Sequence, residues 1–286
     1  MSKLFTSQEP LTLKLSMEKF VEYYNTASVV SLEAISDYFY KLKDLFTTLS
    51  SSLIGLNNDK IVTDALATRF ETLYVLKRIK FVELRDEIVL KPENFKGKYI
   101  DYSADLIESA SVLVRNTEEN LHNLKMAVSS FINEYSENKV LTLYGISYFK
   151  EAEKIIETHR KNIAKYFPSS NSSVKAYVGD VLKSLSDVEQ LYSDIQKLDK
   201  IINLSKINHI SKLSSEVSDL IDVLIEQNTK SGILLKNNST KKELINAIYT
   251  VAKEVELVSY IYSNCMFFYS AIKSLSDVII KVGKTK

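Results

Sequence analysis

The fold is decided by a stretch near the end of the chain, residues 251–282, which reads VAKEVELVSYIYSNCMFFYSAIKSLSDVIIKV. Its apolar residues recur at intervals of three and four, which is the spacing of one face of an α-helix. The positions that fit this spacing are Val251, Val255, Val258, Tyr262, Cys265, Phe268, Ile272, Leu275, Ile279 and Val282. A helix with so much apolar and aromatic surface must pack against neighbours along its length. The stretch therefore predicts a long C-terminal helix inside a helical bundle.

The same spacing recurs through most of the preceding sequence. It predicts a short helix over residues 17–24 and longer helices over 31–53, 59–84, 102–132, 148–166, 181–202 and 207–227. In the helix over 59–84, the face predicted to be buried holds Ile61, Ala65, Leu66, Phe70, Leu73 and Leu76. Six glycines and three prolines in 286 residues supply few tight turns, and short loops make neighbouring helices antiparallel. The predicted fold class is all-α, an elongated antiparallel multi-helix bundle with a long C-terminal helix.

Two segments depart from the helical pattern. Residues 1–15 contain Pro10 and alternate apolar with polar side chains, so they are predicted to form an extended N-terminal arm, followed by a single helical-bundle domain over 16–286. Residues 87–103 carry Pro92, Asn94 and Gly97 between two flanks rich in β-branched and aromatic residues. This arrangement predicts a small β-hairpin, or a pair of extended segments, near 87–103.

The residues that usually build a catalytic or metal site are sparse. There is one cysteine, and its place on the apolar stripe predicts that Cys265 is a buried, inert thiol. The Glu-x-x-His spacing of di-iron bundles occurs once, at Glu119 and His122, where such a site needs it twice. No glycine-rich phosphate loop is present. We therefore predict no catalytic residues, no metal, no cofactor and no small-molecule substrate.

Charge is nearly balanced along the chain, with 37 basic and 36 acidic residues and a net charge of +1. The densest basic region gives five candidates for a weak phosphate contact, Lys77, Arg78, Lys80, Lys96 and Lys98. Acidic residues are interspersed among them, so an ordinary solvated face is the alternative interpretation. Four tyrosines near the start of the chain are candidate interaction residues, Tyr23, Tyr24, Tyr38 and Tyr40.

Three segments together resemble internal head and virion structural proteins of large-genome tailed bacteriophages. They are residues 10–18 (PLTLKLSME), residues 90–102 (LKPENFKGKYIDY) and the closing helix over 254–282. The resemblance implies a non-enzymatic protein of the phage particle, present in many copies, whose partners are other copies of itself or other virion proteins. It implies location in the phage head, or in the host cytoplasm during assembly. Ser7-Gln8-Glu9 is similar to the small-x-Glu site of phage maturation proteases, which makes Glu9 a candidate processing site, although Pro10 would hinder cleavage.

Two other classes of function remain open from the sequence. An α-helical pore-forming or membrane-remodelling protein would use residues 257–272, the longest stretch without a formal charge. Those 16 residues are fewer than the roughly 20 needed to span a bilayer, and no secretory signal is recognised, so we expect no membrane partner and no secretion. A nucleic-acid-associated packaging protein would use the basic candidates in a weak contact with packaged DNA.

Overall fold

The computed structural model describes residues 32–55, 59–85, 89–90, 99–136, 157–158, 161, 176–231 and 239–285. The described residues form nine helices and two short strands. In chain order these are α1 (Leu32–Gly55), α2 (Asp59–Ala67), α3 (Arg69–Arg78), α4 (Phe81–Leu84), β1 (Val89–Leu90), α5 (Tyr99–Ser136), β2 (Ala176–Tyr177), α6 (Val178–Val181), α7 (Leu185–Ile201), α8 (Leu204–Ser231) and α9 (Ser239–Thr285). The all-α prediction is confirmed. The C-terminal helix, α9, has 47 residues, a length of about 70 Å at 1.5 Å per residue.

Two predicted helices are divided by short breaks. The helix predicted over 59–84 is interrupted at Thr68 and again at Ile79 and Lys80, which gives α2, α3 and α4. The helix predicted over 181–202 is interrupted at residues 182–184, which separate α6 from α7. The arm over 1–15 and the helix over 17–24 lie outside the described residues, as does nearly all of the helix over 148–166.

The prediction of a β-hairpin near 87–103 is wrong. Val89 and Leu90 are extended, but they pair antiparallel with Tyr177 and Ala176, far along the chain. The second flank of the predicted hairpin belongs to helix α5, which begins at Tyr99. The reason is that Tyr99, Tyr102 and Leu106 are all buried when this segment is helical. Their spacing of three and four outweighs the β-propensity of the individual side chains.

The chain divides into two compact units. The described part of the first unit consists of residues 32–54, 116–136, 208–231 and 239–256. In it, α1 lies antiparallel to α8, because contacts that advance along α1 move backwards along α8. These contacts are Lys43 Nζ to Asp222 Oδ2 at 2.6 Å, Thr47 Oγ1 to Ser218 Oγ at 3.1 Å, and Ser50 Oγ to Ser211 Oγ at 2.8 Å.

The second unit contains α2 to α4, the first part of α5, both strands, α6, α7 and the second part of α9. A buried tyrosine, Tyr192 on α7, joins three of these helices. Its hydroxyl lies 3.2 Å from Thr72 Oγ1 on α3 and 2.6 Å from Ser276 Oγ on α9. It also lies 3.1 Å from Thr68 Oγ1 at the break between α2 and α3. This set of hydroxyl contacts fixes the position of α3.

Candidate interaction surface

Contacts with α7 and α9 determine which side of α3 is buried. Thr68 Oγ1 donates a hydrogen bond to the carbonyl of Ala65 at 2.7 Å, as a serine or threonine can do at the end of a helix. Thr68 keeps right-handed helical dihedral angles, and α3 begins at Arg69 with Thr72, Val75 and Leu76 as its buried side chains. A second contact holds this orientation, since the Val75 side chain lies directly against Gly283 of α9.

This orientation leaves two aromatic side chains of α3 on the surface. Phe70 is 83% exposed and Tyr74 is 57% exposed. The prediction that Phe70 lies on the buried face is therefore wrong, and Leu66 and Leu73 are only half-buried. The predicted face combined two neighbouring strips of the helix, and the strip that is buried contains Ala65, Thr72 and Leu76 rather than Phe70.

The exposed aromatic rings border a groove of about 520 Å³ on this side of α2 and α3. We call this surface the α2–α3 face; its residues are Leu66, Ala67, Arg69, Phe70, Leu73, Tyr74 and Lys77. Positions three, four and seven apart lie on one side of a helix, so these side chains form a continuous strip. The volume falls within the range of about 300–1,000 Å³ that is typical of ligand sites.

The charges of the α2–α3 face are of one sign. Arg69 and Lys77 are its only ionisable cations, and none of the seven residues is acidic. The nearest acidic residue in sequence, Glu71, instead pairs with Lys284 of α9 at 2.8 Å. Lys77 Nζ lies 3.9 Å from Glu189 Oε1, and both side chains are largely exposed, so this pair contributes little to stability.

Only some of the candidate residues predicted from the sequence lie on the α2–α3 face or elsewhere on the described surface. Lys77, Arg78 and Lys80 are exposed, and Lys77 belongs to the α2–α3 face. Tyr40 is 51% exposed on α1. The remaining candidates have side chains outside the described residues, namely Tyr23, Tyr24, Tyr38, Lys96, Lys98 and Glu9. The structure thus brings one of the nominated lysines together with two aromatic residues, Phe70 and Tyr74, that sequence reasoning had missed as surface residues.

One signal in the sequence could have found the exposed aromatics. Ala65, Thr72 and Leu76 form a second strip with helical spacing, and in the structure this strip is buried. The choice between the two strips depends on which of them packs against Tyr192 of α7 and Gly283 of α9. Because Thr68 contacts Tyr192, a residue 124 positions away, local periodicity alone does not make that choice.

A buried carboxyl group on α9 is the most unusual polar feature of the first unit. Glu254 is 1% exposed, and Asn120 Nδ2 donates to its Oε1 at 2.8 Å and to its Oε2 at 2.9 Å. Burial raises the pKa of Glu254 to about 8, because an ionised carboxylate loses its hydration there; the bond from Asn120 acts in the opposite direction. The group is therefore mostly protonated at neutral pH.

The thiol of Cys265 on α9 is a second buried group that could in principle react. It is buried and free, and burial raises its pKa well above the ordinary value. A thiol in this state is a poor nucleophile, because the reactive form is the thiolate. Burial of the thiol agrees with the sequence interpretation.

In the described part of the chain, no group of three or more His, Cys, Asp or Glu side chains is arranged to hold a metal ion.

None of the helices that the structure describes has an apolar stretch long enough to cross a lipid bilayer.

No protein-family model, curated protein or solved structure matches this chain.

Proposed function

We propose that this chain is a non-enzymatic interaction protein that docks another protein on the α2–α3 face. The observation that carries the proposal is the exposure of Phe70 and Tyr74 beside a groove, on a helix whose other side is firmly packed. Large exposed aromatic side chains that are grouped together commonly mark protein interfaces. Tyr192 and Gly283 hold α3 from behind, so the face is rigid before a partner arrives, which lowers the entropic cost of binding.

The proposed setting is the particle of a tailed bacteriophage, in which the partner is another virion protein. Support for this setting comes from the resemblance of residues 10–18, 90–102 and 254–282 to internal head proteins. Mass spectrometry of purified particles tests it directly. A protein of the particle would be found there in many copies, and detection only in lysates of infected cells would contradict the setting without affecting the docking proposal.

Site-specific photocrosslinking tests whether the α2–α3 face docks a protein. The photoreactive amino acid p-benzoylphenylalanine would replace Phe70 in the full chain, expressed in its natural source. Met126 on α5 provides the matched control, because it is also an exposed large apolar residue, at 54% exposure. We expect position 70 to give one discrete crosslinked protein and position 126 to give none. Identical, diffuse crosslinking from both positions would contradict the proposal.

A further inference from the structure

The chemistry of the α2–α3 face also indicates what kind of segment it receives. We propose that the docked segment is an acidic amphipathic helix, with apolar side chains against Phe70 and Tyr74 and carboxylates against Arg69 and Lys77. This inference rests on the proposed function and specifies its partner. Helices that bury an apolar strip in a groove of another protein are a common mode of recognition.

The lining of the groove favours an apolar occupant. Phe70 and Tyr74 are one turn apart on α3 and both line the groove, together with the half-buried side chains of Leu66 and Leu73. Aliphatic and aromatic lining favours apolar side chains as occupants. A polar or extended nucleotide chain would leave these leucines without apolar contact.

Two cations on α3 are spaced so that carboxylates of a partner helix can pair with them. Arg69 and Lys77 are eight residues apart on α3, which is about 12 Å along the helix axis. They flank the aromatic pair, and the groove contains no carboxylate. Arg69 forms no ion pair with any residue that the structure describes. A partner helix with carboxylates about two turns apart would place one opposite each cation.

The same charges disfavour docking of a second copy through this face. In a twofold dimer the same patch lies on both sides of the interface. Arg69 or Lys77 of one copy would then approach Arg69 or Lys77 of the other, and juxtaposed like charges oppose association. A partner of the opposite charge removes this repulsion.

Single-stranded nucleic acid is the competing occupant, because aromatic rings next to cations can stack bases and contact phosphates. The balance of charge argues against it. The chain has a net charge of +1, and Glu189 lies 3.9 Å from Lys77. A backbone with a phosphate at every nucleotide would find only two cations on this face, whereas the carboxylates of a helix can be confined to the positions opposite Arg69 and Lys77.

Fluorescence anisotropy with defined probes tests the inference on the full-length protein. The probes are an 18-residue leucine–glutamate amphipathic peptide, a leucine–lysine peptide of the same pattern, and a 20-nucleotide oligo(dT). We expect the acidic peptide to bind at least tenfold more tightly than the other two. The double charge reversal Arg69→Glu/Lys77→Glu should reverse the preference between the peptides. Arg115→Glu/Lys200→Glu makes the same charge change at two other exposed cations and should leave the preference intact.

Three results would overturn the acidic-helix inference. Equal binding of the two peptides would remove the role of charge, and preferential binding of oligo(dT) would assign the face to nucleic acid. Failure of every peptide to bind, together with a discrete protein crosslink from position 70, would mean that the partner has a different chemistry while the docking function stands. Failure of the crosslink as well would count against the proposed function itself.

Discussion

Glu254 is the residue whose charge is most strongly coupled to folding. In the unfolded chain its carboxyl has an ordinary pKa of 4.5, and in the folded protein burial raises the pKa to about 8. Between these values the folded protein keeps a proton that the unfolded chain releases. The free energy of unfolding is therefore expected to decrease as the pH rises from about 5 to about 8, and to level off above that.

The variant Glu254→Gln tests this coupling, because glutamine has a similar shape and never ionises. A difference of 3.5 pKa units corresponds to at most about 5 kcal/mol of lost stability across the window. Urea unfolding between pH 5 and pH 9 should show this decrease in the wild type and not in Glu254→Gln. The control Glu226→Gln removes an exposed carboxylate whose pKa is lowered by Lys230, so it should follow the wild type. Parallel curves for the wild type and Glu254→Gln would contradict the role of Glu254.

Two buried tyrosines of the second unit differ in the hydrogen bonding of their hydroxyl groups. The hydroxyl of Tyr102 donates to Asn264 Oδ1 at 3.0 Å, whereas the buried hydroxyl of Tyr269 has no hydrogen-bond partner among the described residues. Both rings neighbour Phe268, at centroid distances of 5.8 and 6.2 Å. Tyr102→Phe should therefore destabilise the fold by about 1 kcal/mol or more, because it leaves Asn264 short of a donor.

Tyr269→Phe should leave the stability unchanged or raise it, since the substitution removes a polar atom that burial had stripped of water. Thermal and urea unfolding of the two variants under one condition measure the difference. Equal destabilisation by both would mean that the hydroxyl of Tyr269 contributes as much as that of Tyr102, against the hydrogen bonding described above.

At the level of elements, the close contact between α3 and α9 depends on a glycine. A methyl group built on Gly283 would lie 2.3 Å from Val75 Cγ1, much closer than two carbon atoms can approach. Alanine in place of glycine normally stabilises a helix by about 1 kcal/mol, so an ordinary exposed site would gain from this substitution. Here the clash should outweigh that gain.

We expect Gly283→Ala to destabilise the protein by about 1–3 kcal/mol through overpacking. The double variant Val75→Ala/Gly283→Ala removes the clashing methyl groups, and it should be more stable than the sum of the two single variants predicts. Urea unfolding of the four proteins in this cycle gives the coupling energy. A coupling of zero would show that α3 and α9 do not contact each other at these residues.

The existence of the elements could be predicted from the sequence to a large extent. The patterns over 102–132 and 207–227 anticipate α5 and α8 with ends that differ by three or four residues. The breaks could not be predicted, because the contact of Thr68 with Tyr192 joins residues that are far apart in sequence. The same holds for Val89 and Leu90, whose strand partners lie at Ala176 and Tyr177. Local spacing contains no information about such distant partners.

At the scale of the whole molecule, the sequence predicted an apolar interior without predicting which aromatic residues lie outside it. Phe268 and Phe70 both lie on apolar helical strips in the sequence. In the structure Phe268 is completely buried and Phe70 is almost completely exposed. Lys77 was nominated as a basic residue, but its membership of the α2–α3 face depends on the phase of α3. The candidate surface was therefore visible in the sequence only as separate residues.

Because Phe268 is buried and Phe70 is exposed, replacing these aromatic side chains should affect stability to very different extents. Phe268→Ala should destabilise the protein by about 3–5 kcal/mol, because it removes a buried ring and leaves a cavity. Phe70→Ser/Tyr74→Ser should change the stability by less than about 1 kcal/mol, because both rings are mostly in water already. Thermal unfolding measures the change in stability of each variant, and retention on a hydrophobic interaction column measures its exposed apolar surface.

The surface variant should elute earlier than the wild type while its thermal midpoint stays within a few degrees. If Phe70→Ser/Tyr74→Ser instead lowered the midpoint as much as Phe268→Ala, the two rings would belong to the core, and the α2–α3 face would have no free aromatic surface to offer a partner. A normal midpoint combined with loss of acidic-peptide binding would separate folding from docking. That combination is the outcome expected of a surface whose rigid support lies behind it, in Thr72, Val75 and Tyr192, and whose binding groups point away from that support.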